Sequence, residues 1–141
     1  MNYFIKLNFS SLLYAVLLFI NIELIFNVYR ISRIAEITIA TTRNYGLFIM
    51  ILSVIIFTFI YYLLNNKYLK NSKYNYYGVI LWIPYFIIML LLFKHFFPIT
   101  NHGDKPNPIG VFSVYIGVLI YPIYLAIIIA LSRKKAQKSN K

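Results

Sequence analysis

The chain has no cysteine, only three acids and only five glycines in 141 residues. Without cysteine there is no disulfide framework, no thiol nucleophile and no cysteine metal site. The acids are Glu23, Glu36 and Asp104, and charged residues make up only 12% of the chain, where a soluble domain carries about 25%. So little charge cannot cover a globule in water, and lipid is the natural solvent for such a sequence. A Gly-rich phosphate loop, a nucleophile–base pair and paired carboxylates are also missing. The chain is therefore expected not to be an enzyme and to need no cofactor.

What is present is apolar surface and positive charge. Hydrophobic residues make up 61% of the chain, and the formal charge is +11. No soluble basic domain remains to carry nucleic-acid binding. Lysines and arginines flanking membrane helices, in contact with anionic lipid, account for the charge instead. The bias toward Ile, Asn, Lys and Tyr matches an AT-rich gene, such as one on a mobile element or plasmid.

A stretch of about 20 apolar residues at a helical rise spans the roughly 30 Å hydrocarbon core of a bilayer. Four stretches qualify: residues 9–29, 46–64, 78–97 and 110–131. The expected fold is all-α, a polytopic four-helix membrane bundle forming a single membrane domain, 1–141. The first run lacks a small-x-small cleavage site and contains Asn21 and Glu23, so it reads as a retained helix rather than a signal peptide. Between the spans lie a loop at 30–45, a basic loop at 65–77, a turn at 98–109 and a basic tail at 132–141 that is expected to be disordered. The 30–45 stretch fits either a short amphipathic segment on the membrane surface or an extended loop rich in Thr38, Thr41 and Thr42.

Lysine and arginine counts set the orientation. One side would hold Lys6, Lys67, Lys70, Lys73, Arg133, Lys134, Lys135, Lys138 and Lys141; the other would hold Arg30, Arg33, Arg43, Lys94 and Lys105. The positive-inside rule then places both termini and the 65–77 loop in the cytoplasm of a bacterial inner membrane, with 30–45 and 98–109 outside. Arg30, Arg33 and Arg43 weigh against that assignment.

Glu23 is the only acid within a span. A charge near a helix centre costs about 2.5–3.5 kcal/mol on insertion scales, and Glu23 lies outward of the middle. Asn27 sits one turn on and Arg30 two turns on, and Lys94 and His95 are candidate partners from the third span. A Glu at this position holds its helix to neighbours or binds a partner; the alternative is a coupling carboxylate in a small four-helix multidrug or cation transporter. The few glycines weigh against transport, because sliding helices need close approach. His95, His102 and Asp104 lack metal-site spacing. Pro84 and Pro122 are expected to kink the third and fourth spans. Ser113-x-x-x-Gly117, continued by Ala126 and Ala130, offers a small-residue face for another helix, within this bundle or on a partner. A holin-like or accessory membrane subunit, and a possible homo-oligomer, stay open.

Leu81-Trp82-Ile83-Pro84-Tyr85-Phe86, the Phe-rich end of that span, and Pro98-Ile99-Thr100-Asn101-His102-Gly103 carry a resemblance. With Val114-Tyr115-Ile116-Gly117 and the basic tail, the C-terminal half resembles the immunity proteins of the pore-forming colicins A and B. The matching residues are Trp82 and Pro84 at the opening of the third span, Thr100 and Gly103 in the turn, and Tyr115 and Gly117 in the fourth span. The resemblance implies a bacteriocin immunity protein that meets the toxin's channel domain as it inserts and stops the pore from opening. Thr100, Asn101, His102, Gly103 and Asp104 in the turn, Ser113 and Gly117 on the last span, and Glu23 and Asn27 are then the candidate contacts.

Overall fold

Backbone N–H and C=O groups in lipid must be satisfied within the segment that carries them, so apolar runs of this length become helices. A computed structural model describes residues 2–69 and 72–139, with 135–139 described by backbone alone. It contains α1 (Tyr3–Phe26), α2 (Val28–Ala35), α3 (Ile39–Leu63), α4 (Gly78–Phe96) and α5 (Pro108–Ser139), with no strand among the described residues. Four of these helices, all but α2, are long and apolar enough to cross a membrane, compatible with a multi-pass membrane protein.

Several boundaries differ from those the sequence suggested. The first span breaks at Asn27 (φ −99°, ψ 12°) instead of running to residue 29. The Asn27 side chain donates back to the Glu23 carbonyl at 3.0 Å, competing with the next helical hydrogen bond. The 30–45 stretch is not an extended loop. Its first part, 30–35, belongs to the short helix α2, the amphipathic alternative, with Ile31 and Ile34 exposed and Ser32 buried, and 39–45 opens α3. Glu36 ends α2 in the left-handed conformation (φ 54°) with its N–H on the Ser32 carbonyl, and Ile37 N–H bonds the same oxygen at 3.2 Å. This is a left-handed helix C-cap of the αL kind, with the Ser32 carbonyl shared by two N–H groups and built here without glycine. Thr38 then caps α3 by accepting the Thr41 N–H at 3.2 Å, so the threonines start a helix rather than fill a loop. At its other end, α3 passes into a π-helical turn, Leu64–Tyr68, and a 3₁₀ turn, Lys73–Tyr77, leads into α4. The stretch 132–139, expected to be disordered, continues α5; Lys, Arg, Ala and Gln are good helix formers, and the preceding turns nucleate them. Residues 140 and 141, Lys70 and the side chains of Lys135 and Lys138 lie outside what is described.

The bundle is wrapped around α1. Inside the protein lies 44% of its span, against 6% for α3. On α1 the buried positions include Ser10, Ser11, Tyr14, Ala15, Leu17, Leu18 and Ile22. Ser10 and Ser11 turn their hydroxyls back to the Lys6 and Leu7 carbonyls, so they behave as small residues and let α4 approach. Gly78 of α4 seats there: a Cβ on it would meet Tyr14 Cε2 at 3.0 Å.

One polar layer ties the four spans together near the end that carries Lys6, Lys67, Lys73, Arg133 and Lys134, termed here the basic end. Tyr14, Tyr61 and Tyr121 come from three different helices; Tyr14 packs edge to face on Tyr61, and Tyr121 edge to face on Trp82 of a fourth. Tyr61 donates to the Leu13 carbonyl at 2.9 Å and Tyr121 to the Tyr14 carbonyl at 2.5 Å. Asn65, fully buried, donates to the Tyr14 hydroxyl and to the Tyr61 carbonyl, both at 2.8 Å. Outer members extend the layer, with Tyr3 on Asn75, Tyr85 on Asn8, and Thr58 against Tyr124. With lipid tails as apolar as leucine, such hydrogen bonds and close packing, rather than hydrophobic burial, hold membrane helices together.

Candidate functional site

The opposite end of the bundle is built differently. Its fixed point is a clasp between α2 and the turn joining α4 to α5. Asp104 is buried in the 3₁₀ turn His102–Asp104, and both of its carboxylate oxygens accept from Arg33, at 3.0 Å and 2.7 Å. Arg30 Nε lies 3.9 Å from the same carboxylate, and its guanidinium also donates to the Phe97 and Pro98 carbonyls at 3.1 Å and 2.6 Å. Those carbonyls belong to the frayed end of α4, which has no further helical N–H to satisfy them. The Arg33 hydrogen bonds hold the Asp104 carboxyl below the usual carboxylate range, and Arg30 adds to the effect. The bidentate geometry is the strong form of a carboxylate pair. Asn107 reinforces the turn by accepting the Gly110 N–H and donating to Tyr29.

Beside the clasp the helices part in two places. Between α1 and α4 a cavity of about 240 Å³ is lined by Glu23, Phe26, Asn27, Leu90, Phe93, Lys94, Phe97 and Ile99. A second trough of about 400 Å³ flanks the same acid, with Phe19, Ile20, Leu24 and Arg30 along it. Between α3 and α5 a groove of about 430 Å³ runs past Gly46, Met50, Gly110 and Ser113, with Leu24, Ile25 and Tyr29 as its floor. A Cβ placed on Gly46 or Gly117 would meet nothing within 4 Å. The groove ends where Thr58 meets Tyr124 and Tyr61 meets Tyr121, the contacts that draw α3 and α5 together.

The sequence-predicted residues fall into three groups. Thr100, Asn101, His102 and Gly103 are exposed at the turn, and Asn101 uses its side chain to receive the Gly103 N–H at 2.9 Å. Asp104 belongs inside the clasp instead of on the recognition surface, because Arg33 occupies both oxygens. Ser113 and Gly117 share an exposed face of α5, so their small-residue face does not pack within the bundle. The small residue seen facing Gly78 in the interior is Ser11 of α1, whose Oγ would lie 3.6 Å from a Cβ there.

Glu23 and Asn27 do pair, with Asn27 Nδ2 on Glu23 Oε2 at 2.7 Å. Lys94 lines the Glu23 cavity without forming an ion pair; among the described residues both ion pairs end on Asp104. His95 is exposed and packs edge-on against Phe96, away from Glu23. It is not a partner for the acid because it falls on the other side of α4 from the cavity-lining Leu90, Phe93 and Lys94.

Sequence reasoning missed the arginine clasp and the tyrosine layer. Arg30 and Arg33, which counted against the orientation as stray positive charge, have a structural task on their side of the bundle. The spacing Ser11-x-x-x-Ala15 was a readable signal for the α1–α4 approach. Nothing in the sequence placed Asn65 inside, because the π-helical turn that buries it continues α3 past its apolar run.

No family model matches this chain, and neither a curated protein nor a solved structure matches it.

Proposed function

We propose that this chain is an immunity protein of the colicin A/B type, acting by binding rather than chemistry. In this reading it sits in the bacterial inner membrane with both termini in the cytoplasm and engages the channel domain of a pore-forming bacteriocin. The observation that carries the proposal is the α3–α5 groove between two spans, floored by Leu24, Ile25 and Tyr29, edged by Gly46, Gly110 and Ser113, and with Arg43 and Asn107 along its lining. An inserting helix gains nothing hydrophobic by leaving lipid, so it must be held by close packing, and small residues permit that. The exposed turn residues Thr100 to Gly103 stand at the same end. The positive-inside rule turns that end outward, toward an arriving toxin, and sets the basic end against anionic lipid of the cytoplasmic leaflet.

The transporter alternative fits less well. Glu23 opens sideways to the α1–α4 cavity, and the layer of Tyr14, Tyr61, Trp82 and Tyr121 lies between it and the basic end. A route for a hydrated ion would have to cross that packed layer.

Cells sensitive to pore-forming colicins, expressing this chain and challenged with a panel of them, are expected to survive one cognate toxin. Protection from none would overturn the proposal, and lysis on overexpression alone would favour a holin. Gly46→Leu and Gly117→Leu are expected to accumulate normally, since both positions face open space, yet to lose protection. A second copy is the competing occupant of the groove. The chain lacks cysteine, so Gly46→Cys crosslinking without toxin reads out self-association directly.

A further inference from the structure

We propose that the α1–α4 cleft is a headgroup site for an aminophospholipid, with the lipid's primary ammonium on Glu23 and its phosphate at Lys94. Glu23 stands in a wall of aromatic and aliphatic side chains whose other polar members are Asn27 and Lys94. Its Oε2 accepts from Asn27, and its Oε1 has no donor among the described residues. Lys94 lines the same cavity and stands in no ion pair among the described residues. A carboxylate and an ammonium thus face one space of about 240 Å³ without meeting.

The two charges select the class of ligand. A simple cation held at Glu23 would be repelled by Lys94 and Arg30, and a simple anion at Lys94 would be repelled by Glu23. A ligand carrying both signs in the complementary order satisfies both groups. The walls select its remainder. Apolar side chains deeper in the bundle than the acid flank it, Leu90 of α4 in one trough and Phe19 and Ile20 of α1 in the other, surface that two acyl chains can cover. Depth agrees as well. Glu23 lies three residues before Phe26, the end of α1, or about 5 Å below the helix end at a rise of about 1.5 Å per residue. A helix of 24 residues only slightly exceeds a hydrocarbon core of about 30 Å, so this is the level where headgroup meets acyl chain. The carboxylate needs an N–H donor to form a charge-assisted bond, which phosphatidylethanolamine has and phosphatidylcholine lacks. The proposal is independent of the immunity reading.

The protein, purified in detergent and exposed to equimolar phosphatidylethanolamine, phosphatidylcholine and phosphatidylglycerol, is examined by native mass spectrometry. Phosphatidylethanolamine is expected to be retained about tenfold over the other two, the discrimination of one charge-assisted hydrogen bond. In Glu23→Gln the preference over phosphatidylcholine is expected to vanish, and in Lys94→Gln retention of phosphatidylethanolamine is expected to fall severalfold. Stepwise N-methylation of the lipid tests the same bond on the unaltered protein, and retention should drop with each methyl group. Equal retention of all three lipids, a preference for phosphatidylglycerol, indifference to N-methylation, or an undiminished preference in Glu23→Gln would each overturn the proposal.

Discussion

The two ends of the bundle use polar side chains in opposite ways. Toward the basic end, hydroxyls and an amide from α1, α3, α5 and the turn after α3 bond backbone carbonyls and one another, and the four spans close into a packed layer. Toward the clasp end, the polar investment is concentrated at one point, Asp104 with Arg30 and Arg33. Around that point the helices splay, leaving a cavity beside α4 and a groove beside α5. The contrast teaches where a membrane protein without large loops can keep both stability and recognition. A sealed layer holds the fold at one end, so the other end can stay open without the helices dissociating.

The comparison breaks most readily at Tyr61. Its side chain is fully buried and bonded to the Leu13 carbonyl, so Tyr61→Ala should cost about 3–5 kcal/mol, as large aromatic truncations do. Reversible unfolding in mixed micelles measures it, and a loss near zero would mean that the layer does not hold the bundle. Next comes one substitution made at both ends. Gly78→Ala pushes a methyl group against the buried Tyr14 ring and should cost about 1–3 kcal/mol by overpacking. Gly117→Ala enters open space and should stay within about 0.5 kcal/mol. Equal effects at the two glycines would erase the distinction between closed and open halves. Tyr124→Phe removes only the bond to Thr58 and should cost about 0.6 kcal/mol, the average for an interhelical hydrogen bond in a membrane.

The smallest effect on global stability is expected at the clasp, and it is local. Asp104→Asn should leave the unfolding midpoint nearly unchanged while hydrogen exchange accelerates in α2 and at 102–104. The pH dependence has a fixed sign. The Asp104 carboxyl is held lower when folded than when unfolded, so its contribution is complete above the unfolded value of about 3.9 and is lost as pH falls through the lowered folded value. Exchange at the clasp should therefore rise only in strong acid, and Asp104→Asn should abolish that dependence. A transition near neutral pH would mean that another group controls the clasp.

Much of the fold was legible because lipid leaves the backbone few options. α4 matches its apolar run almost residue for residue, and the proline at position 84 lies inside it without ending it. Boundaries slipped where side chains compete with the helix ladder, at Asn27 and Thr38, and where helix formers outlast the apolar run, after Leu131. The candidate site was legible in part. The exposed residues Thr100 to Gly103 and the Glu23–Asn27 pair follow from local spacing. The placement of Asp104 does not, because its partners lie 71 and 74 positions away in sequence.

By itself the sequence determined the solvent and the element lengths. Low charge and four runs of bilayer length require helices in lipid, since each backbone bond is settled within its own segment. It did not determine which face of each helix turns inward, because every face of such a helix is apolar and periodicity carries no direction. Tertiary packing decided that Ser11, rather than Ser113 and Gly117, receives the close approach of a neighbour. It also decided that Arg33 spends its charge on Asp104. Both outcomes depend on contacts between residues far apart in the chain, which local spacing does not encode.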